Sequence, residues 1–303
     1  MMTKKLKMIK TKCPICGSKK NYEILYKSNF KLSDFNREIF SARRMPDRIH
    51  YQIVRCNKDG LVRSNPILSP SKLFKLYEVS SLDYGDETKN LANTYFNNLK
   101  KVLSLISKKD NILEIGCGNG FLLEKLSREG FKNVYGIEPS KDAVNKAKAD
   151  IKKRIYCDVL KKDIIKNKKF KLICFFQTLD HIPSPNSFLD ECYRLLEKGG
   201  FIVSFNHNIE GSSSKILKEK SPIIDIEHTV FYSPKTIQKL FEKHKFKVLQ
   251  VYSPSNIISI KHFIKLFPMP RNIKNLISNT KYDFLNLSFP LKLGNLCLIS
   301  QKD

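Results

Sequence analysis

The sequence predicts an α/β protein built on a mainly parallel sheet, with a small cysteine-bearing unit ahead of it. Three observations carry that expectation. Between residues 110 and 210, short apolar runs alternate with amphipathic stretches, the pattern of successive βαβ units. One run, Leu113-Glu114-Ile115, passes directly into Gly116-Cys117-Gly118-Asn119-Gly120 and then a helical pattern, so a strand turns sharply into a helix. Ahead of residue 70, three of the eight Cys gather where helical patterns are few.

Taken in order, residues 1–70 form the first unit and close on a turn at Asn65-Pro66. Residues 71–109 read as a helical connector or lid, because Leu91, Tyr95, Leu99, Val102, Leu103 and Ile106 recur at three- and four-residue spacing. The spacing then predicts strands at 111–116, 133–137, 154–157, 171–176 and 201–205, with helices at 121–129, 141–149 and 187–196 between them. Lys198-Gly199-Gly200 stops the last of these helices. Beyond Gly211-Ser212-Ser213-Ser214 come a helix at 234–243, a strand at 247–252, an amphipathic helix near 257–267 and a final strand at 296–300. The expected division is 1–70, 71–109 and 110–303, the last split into a cofactor half at 110–210 and an acceptor half at 211–303.

Composition limits the function classes. A 41% hydrophobic content with 20 Phe can build a real core, which excludes wholesale disorder. No apolar run reaches the ~20 residues of a membrane span, and the Lys-rich start lacks the apolar stretch of a signal peptide. Eight Cys without an export signal read as thiols or metal ligands in the cytoplasm. The net charge of +26 divides into +11 over 1–70, +3 over 71–109, +3 over 110–210 and +9 over 211–303. A nearly neutral middle between basic flanks admits nucleic acid, anionic lipid or a phosphorylated small molecule as partner and selects none. An AT-biased genome, rich in Lys, Asn, Ile and Phe codons, accounts for it equally well.

The glycine loop has the spacing G-x-G-x-G rather than the dinucleotide G-x-G-x-x-G. Glu138 ends the next strand, 22 residues after Gly116, where a carboxylate can accept both hydroxyls of a ribose. With these residues in place, the segment 110–210 resembles the Rossmann-like core of class I methyltransferases that use S-adenosylmethionine. Cys157-Asp158 after the third strand and the stretch from Phe176 to His181 after the fourth extend the similarity. The resemblance implies a mainly parallel sheet with an antiparallel last strand. It also implies that Glu114 orients the methionine amino group and that Gly116, Gly118 and Gly120 line the methionine and ribose. Glu138 would take the ribose diol and Asp158 the adenine amino group, while Phe176 and Gln177 pass beside the methionine. Cys117, Pro139 and Val159 belong to the same contact set.

Cys13-Pro14-Ile15-Cys16-Gly17 is a zinc-knuckle half-site, two thiolates on a tight turn. Its counterpart is Cys56-Asn57-Lys58-Asp59-Gly60-Leu61, with Asp where a fourth Cys would stand. Carboxylate oxygen is an acceptable zinc ligand, so Cys13, Cys16, Cys56 and Asp59 are the expected set for a structural zinc, with His50 as a substitute fourth ligand. A ribbon that folds without metal is the alternative. A zinc-ribbon-like N-terminus before this core is similar to bacterial sugar and surface-glycan methyltransferases, including deoxysugar C-methyltransferases.

Within that resemblance, Glu227-His228-Thr229-Val230-Phe231-Tyr232-Ser233 is similar to the Glu-His-x-x-Tyr-Tyr-Ser stretch of the sugar C-methyltransferases. It implies Glu227 and His228 at the active site, with a carboxylate orienting the imidazole as a base. His181, beside Asp180, would lie near the transferred methyl, and His207, after the fifth strand, could reach the acceptor. Tyr77 and Tyr84 would cover the site. The expected acceptor is a sugar, a nucleotide-linked sugar or a glycan component, phosphorylated or not, methylated at carbon or oxygen. An RNA methyltransferase with a zinc-ribbon reader is the alternative. The apolar face of Ile257, Ile260, Phe263, Ile264 and Phe267 reads as a lid, a core helix or a membrane-surface contact.

Overall fold

The computed structural model describes residues 8–31, 49–81, 85–266, 287–292 and 294–303. A short N-terminal set of strands comes first: β1 (Met8–Ile9), β2 (Tyr22–Tyr26), β3 (Ile53–Cys56), β4 (Val62–Ser64) and β5 (Ile67–Leu68). Two helices follow, α1 (Pro70–Glu78) and α2 (Thr88–Leu103). The stretch read as a helical connector is therefore two helices, with a 3-10 turn at Gly85–Glu87 ahead of the second. Leu99, Val102 and Leu103 bury the inner face of α2.

The main sheet is built from β6 (Asn111–Ile115), β7 (Asn133–Ile137), β8 (Ile155–Tyr156), β9 (Phe170–Phe176) and β10 (Leu196–His207). Helices α3 (Phe121–Arg128), α4 (Lys141–Asn145), α5 (Ala149–Lys152) and α6 (Pro185–Leu195) connect them. After α7 (Ser212–Leu217) and β11 (Val230–Phe231) come α8 (Pro234–Lys243), β12 (Phe246–Tyr252), β13 (Asn256–Ser259), α9 (Ile260–Leu266), β14 (Ser288–Leu291) and β15 (Asn295–Lys302). The seven-stranded sheet runs β12-β15-β10-β9-β6-β7-β8. Only β15 is antiparallel, to β10 on one side and β12 on the other. This is the Rossmann-like methyltransferase fold that the resemblance implied.

Local sequence explains most elements. β9 is apolar at nearly every position because helices cover both of its faces, as parallel sheets require. Phe188, Leu189, Cys192 and Leu195 bury one stripe of α6 beneath it. Ser233 caps α8 through a reciprocal bond with Thr236, and Pro234 occupies the first turn, where a missing N–H is harmless.

Four expectations differ in detail. The helix over 141–149 is two short helices, α4 and α5, because Lys148 is extended and caps the second. The strand expected at 201–205 begins at Leu196, and the Lys198-Gly199-Gly200 stop is a bulge within it, where the register against β9 shifts. The helix expected from 257 begins at Ile260. Ile257 and Ile258 lie in β13 instead, where β-branched side chains suit the pairing with β14. Phe267 and Tyr84 lie outside the described residues.

The N-terminal sheet runs β11-β4-β3-β2, so one of its edge strands comes from far along the chain, at Val230–Phe231. Val62 pairs with Phe231 and Arg63 with Val230. Cys13, Cys56 and Leu61 share one buried core with Val230, Tyr232, Ile237 and Phe175. No helix among the described residues is long and apolar enough to cross a membrane.

Candidate active site

Two strand ends converge at the glycine loop. The N–H groups of Gly116 and Cys117 both donate to the Ile137 carbonyl, at 2.8 and 3.2 Å. Glu138, just beyond β7, accepts from Gly118 N through Oε2 and from Ser140 N through Oε1, each at 2.8 Å. Its carboxyl is buried, and burial pushes it upward, partly offset by those two bonds. Glu114 is buried deeper, and burial together with the charge of Glu138 raises it well above the usual carboxylate range. Glu114 Oε2 and Asn119 Oδ1 are buried without a hydrogen-bond partner. Such atoms in a loop of turned-out glycines are what a polar ligand satisfies. Gly116 takes φ +76°, and a Cβ there would collide with Thr178 Oγ1.

The neighbouring strands extend this row of residues along the same end of the sheet. Asp158 and Val159 follow β8, with Asp158 Oδ1 accepting from Val159 N at 2.8 Å and Oδ2 paired to Lys161. Phe176 ends β9 and stacks on Tyr95 of α2, with ring centres 4.2 Å apart. Gln177 adopts φ +50°, and its Oε1 accepts from Tyr95 OH at 3.2 Å. Glu114, Gly116, Cys117, Gly118, Gly120, Glu138, Pro139, Asp158, Val159, Phe176 and Gln177 thus all lie at the carboxyl ends of β6, β7, β8 and β9. That is where open α/β sheets bind ligands. Asn119, whose signal in the sequence is its place between two of the loop glycines, adds its buried Oδ1 to this set. Tyr95 was legible only as one residue of a periodic apolar face.

A second cluster lies at the ends of β9 and β10. Asp180 Oδ2 meets His207 Nδ1 at 2.7 Å, while Asp180 Oδ1 is buried without a hydrogen-bond partner. Burial works to raise this carboxyl, but His207 and the imidazoles around it hold it well below the usual range. The His228 ring centre lies 4.6 Å from that of His181 and 4.9 Å from that of His207. His181 Nδ1 meets Tyr77 OH at 3.0 Å. Glu227 is half-buried, and its carbonyl accepts from Tyr77 OH at 3.4 Å.

The orientation of His228 differs from the expected carboxylate contact. Its Nδ1 meets the Ile223 carbonyl at 2.7 Å, and the imidazole oriented by a carboxylate is His207. A carbonyl only accepts, so Nδ1 carries the proton and Nε2 the lone pair. Burial pushes the His228 imidazole below its ordinary value, so the ring is neutral at neutral pH.

The cysteines form a third group. Asp59 Oδ2 accepts from Cys13 Sγ at 3.1 Å and from Cys56 Sγ at 3.3 Å, and Cys16 Sγ lies 3.5 Å from Cys56 Sγ. The four ligand atoms lie within 4.8 Å of one another. The two turns repeat one geometry: Gly17 N donates to the Cys13 carbonyl and Gly60 N to the Cys56 carbonyl, both at 2.9 Å. His50, the substitute ligand, is engaged elsewhere, with Nδ1 on the Tyr51 carbonyl and Nε2 on Glu219.

The protein-family model described as "Methyltransferase domain" matches residues 88–251, more than half of the chain. The chain belongs to this methyltransferase family. It is 24% identical over 170 residues to the mitochondrial ubiquinone biosynthesis O-methyltransferase of Dictyostelium discoideum, covering 48% of this chain and 53% of that one. It is 34% identical over 109 residues to the ubiquinone biosynthesis O-methyltransferase of Pelagibacter ubique, covering 34% and 45%. The chain therefore spans about half the length of these relatives. Among solved structures it is similar to a SAM-dependent methyltransferase of Thermotoga maritima, with 18% identity, 70% and 91% coverage and a TM-score of 0.46.

This methyltransferase should tolerate no side chain at the loop's first glycine. Gly116→Ala places a Cβ in the left-handed region and against Thr178. It should cost about 1–3 kcal/mol, read as a lowered unfolding midpoint in urea.

Proposed function

We propose that this methyltransferase acts on a hydroxyl oxygen of a small-molecule acceptor, with His228 as the base. S-adenosylmethionine, when bound, supplies a methyl already made electrophilic by its sulfonium, so the protein's task is chiefly alignment. Glu138 takes the ribose diol, Asp158 faces the adenine amino group, and Glu114 orients the methionine amino group. Phe176 and Gln177 border the methionine, and Gly116, Cys117, Gly118, Gly120, Pro139 and Val159 line the rest. The buried, unpartnered Glu114 Oε2 supports this assignment.

One observation carries the acceptor chemistry: the bond from His228 to the Ile223 carbonyl fixes a buried, neutral imidazole with Nε2 as its basic atom. His228 Nε2 receives the hydroxyl proton as the acceptor oxygen bonds to the methyl carbon. Bound S-adenosylmethionine would supply the methyl and leave as a neutral thioether that keeps the bonding electron pair. His181, His207 and Glu227 shape the acceptor side around it. The named relatives methylate oxygen in ubiquinone biosynthesis, which favours a phenolic hydroxyl over a sugar, nucleotide-linked sugar or glycan component methylated at carbon or oxygen. The RNA alternative draws no support from those relatives.

Purified protein with labelled methyl donor, offered phenolic quinone precursors and nucleotide sugars in parallel, should form a methyl ether on a phenol. Methylation at carbon or nitrogen would overturn the reading. His228→Ala should lower kcat by roughly 10²–10⁴-fold. Because the base must be neutral and burial depresses its proton affinity, the acid limb of the wild-type rate should fall below pH ~6.5. Glu138→Ala should weaken cofactor binding by at least ~10-fold in calorimetry, since the one carboxyl both takes the ribose diol and braces Gly118.

We also propose a structural zinc on Cys13, Cys16, Cys56 and Asp59, a three-thiolate, one-carboxylate set. The converged ligand atoms and the paired turns support it. Protein expressed with zinc should carry about one ion per chain by elemental analysis, and Cys16→Ser should lose it. Folded wild-type protein free of zinc after such expression would refute the assignment.

A further inference from the structure

The His228 loop is held from two sides, and one of them is the N-terminal sheet. Ser64, the last residue of β4, is fully buried. Its Oγ donates to the His228 carbonyl at 2.9 Å, and its N–H donates to the Thr229 carbonyl at 3.0 Å. From the opposite side, Thr229 N and Oγ1 donate to the Asp180 carbonyl at 2.8 and 3.2 Å. The peptides of residues 228 and 229 are therefore clamped between β4 and the turn that carries Asp180 and His181. Immediately afterwards the chain enters β11 and pairs with β4.

Ser64 is itself braced by the strands of the cysteine unit. Its carbonyl accepts from Thr11 Oγ1 at 3.0 Å, two residues before Cys13. Ile53 of β3 faces it across the sheet, and β3 ends at Cys56. A continuous set of main-chain and hydroxyl contacts thus leads from the cysteine turns to the imidazole proposed as base.

We propose that Ser64 is a positioning residue for the acceptor site, and that the small N-terminal sheet serves to hold His228 against the Asp180–His207 pair. This inference rests on the reading of His228 as the base. The cofactor loop is built from β6 and β7 and makes none of these contacts, so the effect falls on turnover and spares cofactor affinity. A displacement of about 1 Å in a reacting group can cost ~10²-fold in rate, far more than one hydrogen bond contributes to stability.

The test compares wild type, Ser64→Ala, Ser64→Thr and His228→Ala with zinc supplied throughout. In Ser64→Ala, kcat should fall by roughly tenfold or more while the cofactor Kd stays within about twofold. Ser64→Thr, which keeps the hydroxyl, should recover much of the loss. Nitrogen NMR of labelled histidines supplies a readout independent of turnover. The His228 ring signals should move in Ser64→Ala, while those of His244, fixed between Asp190 and Asn186 at 2.7 and 2.9 Å, should not.

Unchanged His228 signals with intact kcat in Ser64→Ala would overturn the proposal. So would a parallel loss of cofactor affinity with a shift at His244, which would mean general loosening. If His228→Ala keeps full kcat, the base reading fails. The positioning claim then stands or falls on the His228 signals alone.

Discussion

Two strand ends in this protein are fastened together by one buried carboxylate. Glu138 uses one oxygen on Gly118 and the other on Ser140, so the turn after β6 and the start of α4 share a single anchor. Burial opposes its charge, and two main-chain N–H groups are the compensation available inside the fold. It holds the glycine loop, which leads into α3, against the end of β7. The same loop leaves Glu114 and Asn119 with unsatisfied oxygens, a polar deficit a ligand can fill.

The histidine cluster is organised by strand order rather than by any local motif. Phe176 and Phe205 are register partners on adjacent parallel strands, so the residues just beyond them meet. Asp180 and His207, distant in sequence, become a bonded pair at that end of the sheet. The third imidazole arrives from a loop pinned by β4. Three separate parts of the chain therefore supply one cluster, and none of them forms it alone.

Legibility in the sequence tracked this distinction. Strand β7 and helix α8 have the expected bounds, because a period of two or 3.6 is a local property read over a short window. The glycine loop and the paired cysteine turns were equally visible, since both depend on residues adjacent in the chain. The β13–β14 pairing was not, because its partner lies beyond a long intervening segment. Nor was the role of β11, two residues whose strand character exists only against β4. Gly199-Gly200 looked like a helix stop and is a bulge, since glycine serves both turns and register shifts. Tyr95 read as core and is also a hydrogen-bond partner of Gln177, a double use that periodicity does not separate.

The late arrival of β11 has a consequence for how the chain is made. Strand β4 is synthesised early, yet its partner at residues 230–231 follows only after the parallel sheet's first five strands have emerged. At ordinary translation rates that interval is on the order of ten to thirty seconds. Throughout it, β4 offers an unpaired backbone edge, the kind of surface on which nascent chains mispair. The small sheet is thus begun before the parallel sheet and closed only after five of that sheet's strands. Its completion is coupled to the emergence of the loop it supports, because residues 228 and 229 leave the ribosome immediately before β11.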